Sequence, residues 1–71
     1  MAIVETVIDS IHGDLPQRGI YYRCRDDSGE WHDYGPVIVS DASFDAEAYK
    51  AVAAARVAEQ LAEAEFRIML A

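Results

Sequence analysis

Hydrophobic and polar residues alternate most cleanly along Gly19-Ile20-Tyr21-Tyr22-Arg23-Cys24-Arg25. Successive side chains of a strand point to opposite faces, so Ile20, Tyr22 and Cys24 share one face and Tyr21, Arg23 and Arg25 the other. The pattern predicts a half-buried strand. Asp26-Asp27-Ser28-Gly29 follows, with two Asx turn formers and a glycine able to take positive φ, and Glu30-Trp31-His32-Asp33-Tyr34 is aromatic enough to return as the partner strand. Residues 4–10, with Thr6, Val7 and Ile8 at their centre, predict a first strand, joined to the second by a loop over 12–19. Gly35-Pro36 breaks or bends the third strand, because proline donates nothing to a β-ladder. Residues 37–39 are then either a separate short strand or the end of a bent one.

Near residue 41 the pattern changes. Every glycine and proline lies before that point and 11 of the 12 alanines lie after it, so a single helix over 43–70 is predicted. Asp41-Ala42-Ser43 offers N-cap residues, and Asp45 and Glu47 put negative charge in the first turn, where the helix dipole favours it. Projected around the helix from Phe44, the apolar residues divide into two stripes. One holds Phe44, Val52, Phe66, Met69 and Leu70, filled in by Ala48, Ala55 and Ala62; the other holds Val57, Leu61 and Ile68. One small sheet covers one stripe, which leaves the second for a partner. Length points the same way: a helix over 44–70 spans about 40 Å, whereas a strand of seven or eight residues spans about 25 Å. The C-terminal turns therefore overhang, and Val57, Leu61, Phe66, Ile68, Met69 and Leu70 are the candidate partner-binding residues. The expected fold is α+β: a small antiparallel three-stranded sheet, made of a ββ hairpin plus an N-terminal strand, followed by one long C-terminal helix in a single domain over 1–71.

Composition narrows the function. A chain of 71 residues is long enough for one core, and 52% hydrophobic residues set it apart from a disordered tail. Thirteen Asp and Glu against six Lys and Arg give a formal charge of −7, which opposes binding to a phosphate backbone or an anionic leaflet. No nucleic acid and no membrane is expected as a partner. No apolar run approaches the roughly 20 residues of a membrane span, and Met1-Ala2-Ile3-Val4-Glu5 lacks a basic leader region. A domain this short buries only about 60–65% of its unfolded surface. With one cysteine and therefore no internal disulfide, contact with a partner is the expected supplement to its stability.

Chemistry is sparse. Cys24 lies between Arg23 and Arg25, but alternation turns those cations to the opposite face and predicts a buried, inert thiol. His12, Cys24, His32 and Asp33 are metal-ligand types without the spacing that fixes ligands on one element, so no metal and no cofactor is expected. His32 and Asp33, as neighbours on a strand, point apart and cannot form a dyad, which leaves His32 as a surface histidine. Asp26-Asp27 and Glu59 with Glu63 read as solvated acids. Trp31, Tyr21, Tyr22 and Tyr34 could form a stacking platform, but with only Arg23 and Arg25 nearby a core or interface role is favoured. No catalytic residue emerges.

The order of a Val/Thr-rich strand, the aromatic and basic strand Tyr21-Tyr22-Arg23-Cys24-Arg25, the turn from Asp26 to Gly29, an aromatic strand and the alanine-rich acidic helix from Phe44 to Leu70 resembles small accessory structural proteins of tailed-bacteriophage virions. The resemblance covers nearly the whole chain and rests on layout. It implies a non-enzymatic part, present in several symmetric copies at the tail, baseplate, neck or capsid surface, assembled in the host cytoplasm and bound to other structural proteins or to copies of itself. An apolar helix face and a sheet edge would make those contacts. The competing expectation is a free homo-oligomeric regulator or inhibitor with an acidic surface, cytoplasmic in location.

Overall fold

The computed structural model describes the backbone of residues 2–70 and the side chains of residues 2–64. Three strands, β1 (Ile3–His12), β2 (Arg18–Asp26) and β3 (Trp31–Val39), form an antiparallel sheet in the order β1-β2-β3, and the helix α1 (Lys50–Leu70) follows. The alternation of β2 holds: Ile20, Tyr22 and Cys24 are buried, while Tyr21 and Arg23 are exposed and Arg25 is half-buried. The chain turns from β2 to β3 through Gly29 at φ 92°, with Gly29 N–H donating to the Asp26 carbonyl at 3.1 Å.

Residues 37–39 belong to the same strand as 31–34, bent rather than broken. Ile20 pairs with Val37 and Tyr22 with Tyr34, so Gly35 and Pro36 together stand opposite Tyr21 as a β-bulge. Gly35 has φ 134°, and a Cβ there would lie 2.8 Å from the Ile20 carbonyl oxygen, so only glycine fits. β1 has a matching irregularity. Ile8 pairs with Tyr22 but Ser10 with Tyr21, which leaves Asp9 as the extra residue; a second shift lies between Ile3 and Glu5. Both outer strands are thus bulged beside Tyr21. Their regular edge stretches shrink to residues 5–8 and 31–34, a short template for adding a foreign strand.

The core lies between one face of the sheet and α1. Ile20, Tyr22, Val39 and Ala53 form its centre, with Ile8, Leu15, Tyr34, Val37, Phe44 and Tyr49 packed around them. Tyr22 is fully buried and its hydroxyl donates to the Ala46 carbonyl at 2.9 Å. Burial, then the neighbouring Tyr49, Glu47 and Asp45, raises the pKa of that hydroxyl and keeps it a donor.

This hydrogen bond lies just before the helix begins. In a helix running from Phe44, the Ala46 carbonyl would accept the Lys50 N–H; here it accepts the Tyr22 hydroxyl, and the Lys50 N–H goes to the Glu47 carbonyl at 3.2 Å. Residues 45–49 make a capped turn, with Tyr49 N–H donating to the Asp45 carbonyl at 3.1 Å and Asp45 Oδ1 accepting from the N–H groups of Glu47 and Ala48 at 3.1 Å, and α1 starts at Lys50. The phase carried from Phe44 does not hold beyond this irregular entry. Among the described residues, Ala53 and Val57 are those of the helix buried against the sheet, and Val52, expected on the covered stripe, is 40% exposed. The small Ala53 admits the bulk of Tyr22 rising from the sheet.

Candidate functional site

The helix covers one face of the sheet and leaves the other open. On the open face β2 presents Tyr21, Arg23 and Arg25, flanked by Glu5 and Ser10 of β1 and by Trp31 and Asp33 of β3. Arg25 Nε donates to Glu5 Oε1 at 3.0 Å and Arg23 Nε lies 3.3 Å from Asp33 Oδ1. Both guanidinium groups also stand near Trp31, 5.5 and 5.9 Å from its ring centre. Both arginines already have partners within the chain. The four aromatic residues of the expected platform divide two and two: Tyr21 and Trp31 are on the open face, Tyr22 and Tyr34 face the helix.

Where the bulges of β1 and β3 meet beside Tyr21, the open face sinks into a groove of about 520 Å³. Asp9, Ser10 and His12 line one side, Asp33 and Gly35 the other, and Tyr21 lies between them. His12 Nε2 is 3.0 Å from Ser10 Oγ, and its ring stands edge-on to Tyr21 at 5.6 Å. A histidine beside a serine hydroxyl has the elements of an activated nucleophile, but among the described residues no carboxylate holds the other ring nitrogen, so the third member of such a relay is missing. What the groove offers instead is a set of hydrogen-bond acceptors around an aromatic ring.

A second cluster with the same residue types closes the β2–β3 hairpin. Asp26 is fully buried at the end of β2, contrary to the expectation of a solvated turn acid. Its Oδ1 accepts from Ser28 N–H at 2.8 Å, Ser28 Oγ–H at 2.6 Å and Glu30 N–H at 3.1 Å. Its Oδ2 accepts from His32 Nε2 at 2.8 Å, and since a carboxylate only accepts, that nitrogen carries a proton. The bond to His32, then those to Ser28 and Glu30, hold the Asp26 carboxyl far below the usual range, against the opposing effect of burial. His32 is accordingly half-buried and bonded rather than a free surface histidine. Asp26, Glu30 and His32 place one ligand-type atom each within 4.8 Å of one another. A metal there would have to displace the His32 proton and break the bond that closes the hairpin, so the cluster acts as a staple.

The expected partner-binding residues fare unequally. Val57 is 2% exposed against its own sheet, which corrects its assignment to a partner. Leu61, one turn further along the same side, is half-buried. The side chains of Phe66, Ile68, Met69 and Leu70 lie outside the described residues. Sequence reasoning passed over the Asp26–His32 pair, although two inward residues flanking a turn signalled it; it also passed over the groove, which depends on bulges that no local pattern announces. Among the described residues no helix is long and apolar enough to cross a membrane. Comparison with protein-family models, curated proteins and solved structures finds no match, and the functional reading rests on the geometry.

Proposed function

We propose that this protein is a non-enzymatic structural part of a larger protein assembly, a tail or baseplate component of a phage virion, and that it docks through the second half of α1. One observation carries this reading. After Val57 no described helix side chain is buried, yet the helix runs on to Leu70, about 20 Å further. The molecule is correspondingly drawn out to 43 × 22 × 16 Å, with a radius of gyration of 13.6 Å, against about 11 Å for a compact chain of this length. The sequence of that projecting half includes Leu61, Phe66, Ile68, Met69 and Leu70, a composition that favours burial over solvent. The bulged sheet edges contribute less than the helix to this reading.

The test is a chain shortened to end at Glu65. It is expected to keep its melting temperature within a few degrees, because the core lies between residues 8 and 57, and to lose self-association in light scattering and the neighbours captured by cross-linking in the intact assembly. A shortened chain that keeps the oligomeric state and the cross-linked neighbours of the full chain overturns the proposal. Self-association with no foreign neighbour would favour the homo-oligomeric regulator instead.

A further inference from the structure

The groove beside Tyr21 lies on the sheet face opposite α1, and two carboxylates, Asp9 and Asp33, line it against one neighbouring guanidinium, Arg23. Asp9 is exposed and makes no hydrogen bond or ion pair with any described residue. Asp33, with 84% of its side chain exposed, gives only Oδ1 to Arg23. Ser10 Oγ is a further acceptor, and Tyr21, a residue 36% exposed, stands edge-on to His12. Two carboxylates, a hydroxyl and an aromatic face make a receptor for a cation, in a chain whose charge of −7 draws cations from a distance. Of the two basic side chains, the planar guanidinium suits the site better than a compact ammonium, since it bonds carboxylates through a fork of N–H groups and stacks on a ring.

We infer that this groove takes an arginine side chain from a segment of a neighbouring protein. The groove is open, so a free cation would keep much of its hydration; an arginine within a chain also brings flanking residues. Ile38, 64% exposed, and Trp31, 38% exposed, stand on the same strand to either side of the bulge and give those residues apolar contact. This inference deepens the assembly reading but uses a different surface, so the groove and the helix end fail or stand separately.

The experiment titrates the full chain, labelled for NMR, with the blocked peptide acetyl-Gly-Gly-Arg-Gly-Gly-amide. Shifts are expected at Ser10, His12, Tyr21 and Asp33. Replacing the arginine by its neutral isostere citrulline should abolish them, and a lysine peptide should bind more weakly. The double substitution Asp9→Asn/Asp33→Asn is expected to weaken binding about tenfold, the effect of losing charge-assisted hydrogen bonds. Glu59→Gln/Glu63→Gln, which removes the same charge from the helix, should weaken it less than about twofold at physiological salt. Equal losses in the two variants would reveal general attraction to an acidic chain and overturn the site. Equal binding of the lysine peptide would overturn the guanidinium assignment, and methylguanidinium binding as tightly as the peptide would overturn the protein segment as its source. Loss of peptide binding in Asp9→Asn/Asp33→Asn with the assembly intact would bear on the groove alone, whereas the helix proposal is decided by the shortened chain.

Discussion

Two clusters in this small sheet use nearly the same residues to opposite ends. At the hairpin, Asp26, Ser28, Glu30 and His32 face one another, and every oxygen of the buried carboxylate is taken. Beside Tyr21, Asp9, Ser10, His12 and Asp33 stand around a groove, and Asp9 is left without a partner among the described residues. The difference lies in the backbone. A tight turn brings the first set onto its own N–H groups, whereas bulges in β1 and β3 spread the second set apart. An inventory of acids, serines and histidines therefore says little until the backbone decides whether they satisfy each other or face outward.

The comparison breaks most visibly at Asp26. Asp26→Ala leaves Ser28, Glu30 and His32 without their shared acceptor and should lower the melting temperature by on the order of 10 °C, the largest loss of any single polar substitution here. The same group sets an acid limit. Its carboxyl is held below its ordinary value, so its contribution is fully present above the unfolded pKa of about 3.9 and is lost progressively as pH falls below about 4. Denaturant melts across pH 2–6 should show stability falling on the acid side in the native chain and a flatter profile in Asp26→Asn. A smaller loss is expected from Gly35→Ala, which forces a Cβ against the Ile20 carbonyl and should cost about 2 kcal/mol in urea unfolding. The smallest effect belongs to Asp9→Asn, expected within about 0.5 kcal/mol of the native chain, because Asp9 is exposed and bonds no described residue. A destabilisation there comparable to Asp26→Ala would erase the distinction between the two clusters.

Much of the fold was legible in the sequence where one local rule governed. The alternation of Ile20, Tyr22 and Cys24, the turn at Gly29 and the antiparallel strand order follow from side-chain period and turn chemistry alone. What escaped depends on contacts between distant residues. The entry to α1 is irregular, with the Ala46 carbonyl bonded by the Tyr22 hydroxyl 24 positions earlier, and the helix beyond it buries Val57 and exposes Val52. The Gly35-Pro36 interruption marked an irregularity in β3, but the matching bulge at Asp9 has no breaker residue to announce it. For the same reason the candidate site was hidden: Asp9 and Asp33 line one groove only because a bulge lies on each side of Tyr21, a property of register rather than of composition.

The position of Trp31 has an optical consequence. The chain has one tryptophan, and it stands on the open face between two arginines, not in the core with Tyr22. Its emission thus monitors the state of that face while the interior remains folded. An occupant that draws Asp33 away from Arg23 would rearrange the cations against the indole ring. The protein therefore carries an intrinsic fluorescent reporter beside its own groove, able to signal a neighbour's arrival without a label.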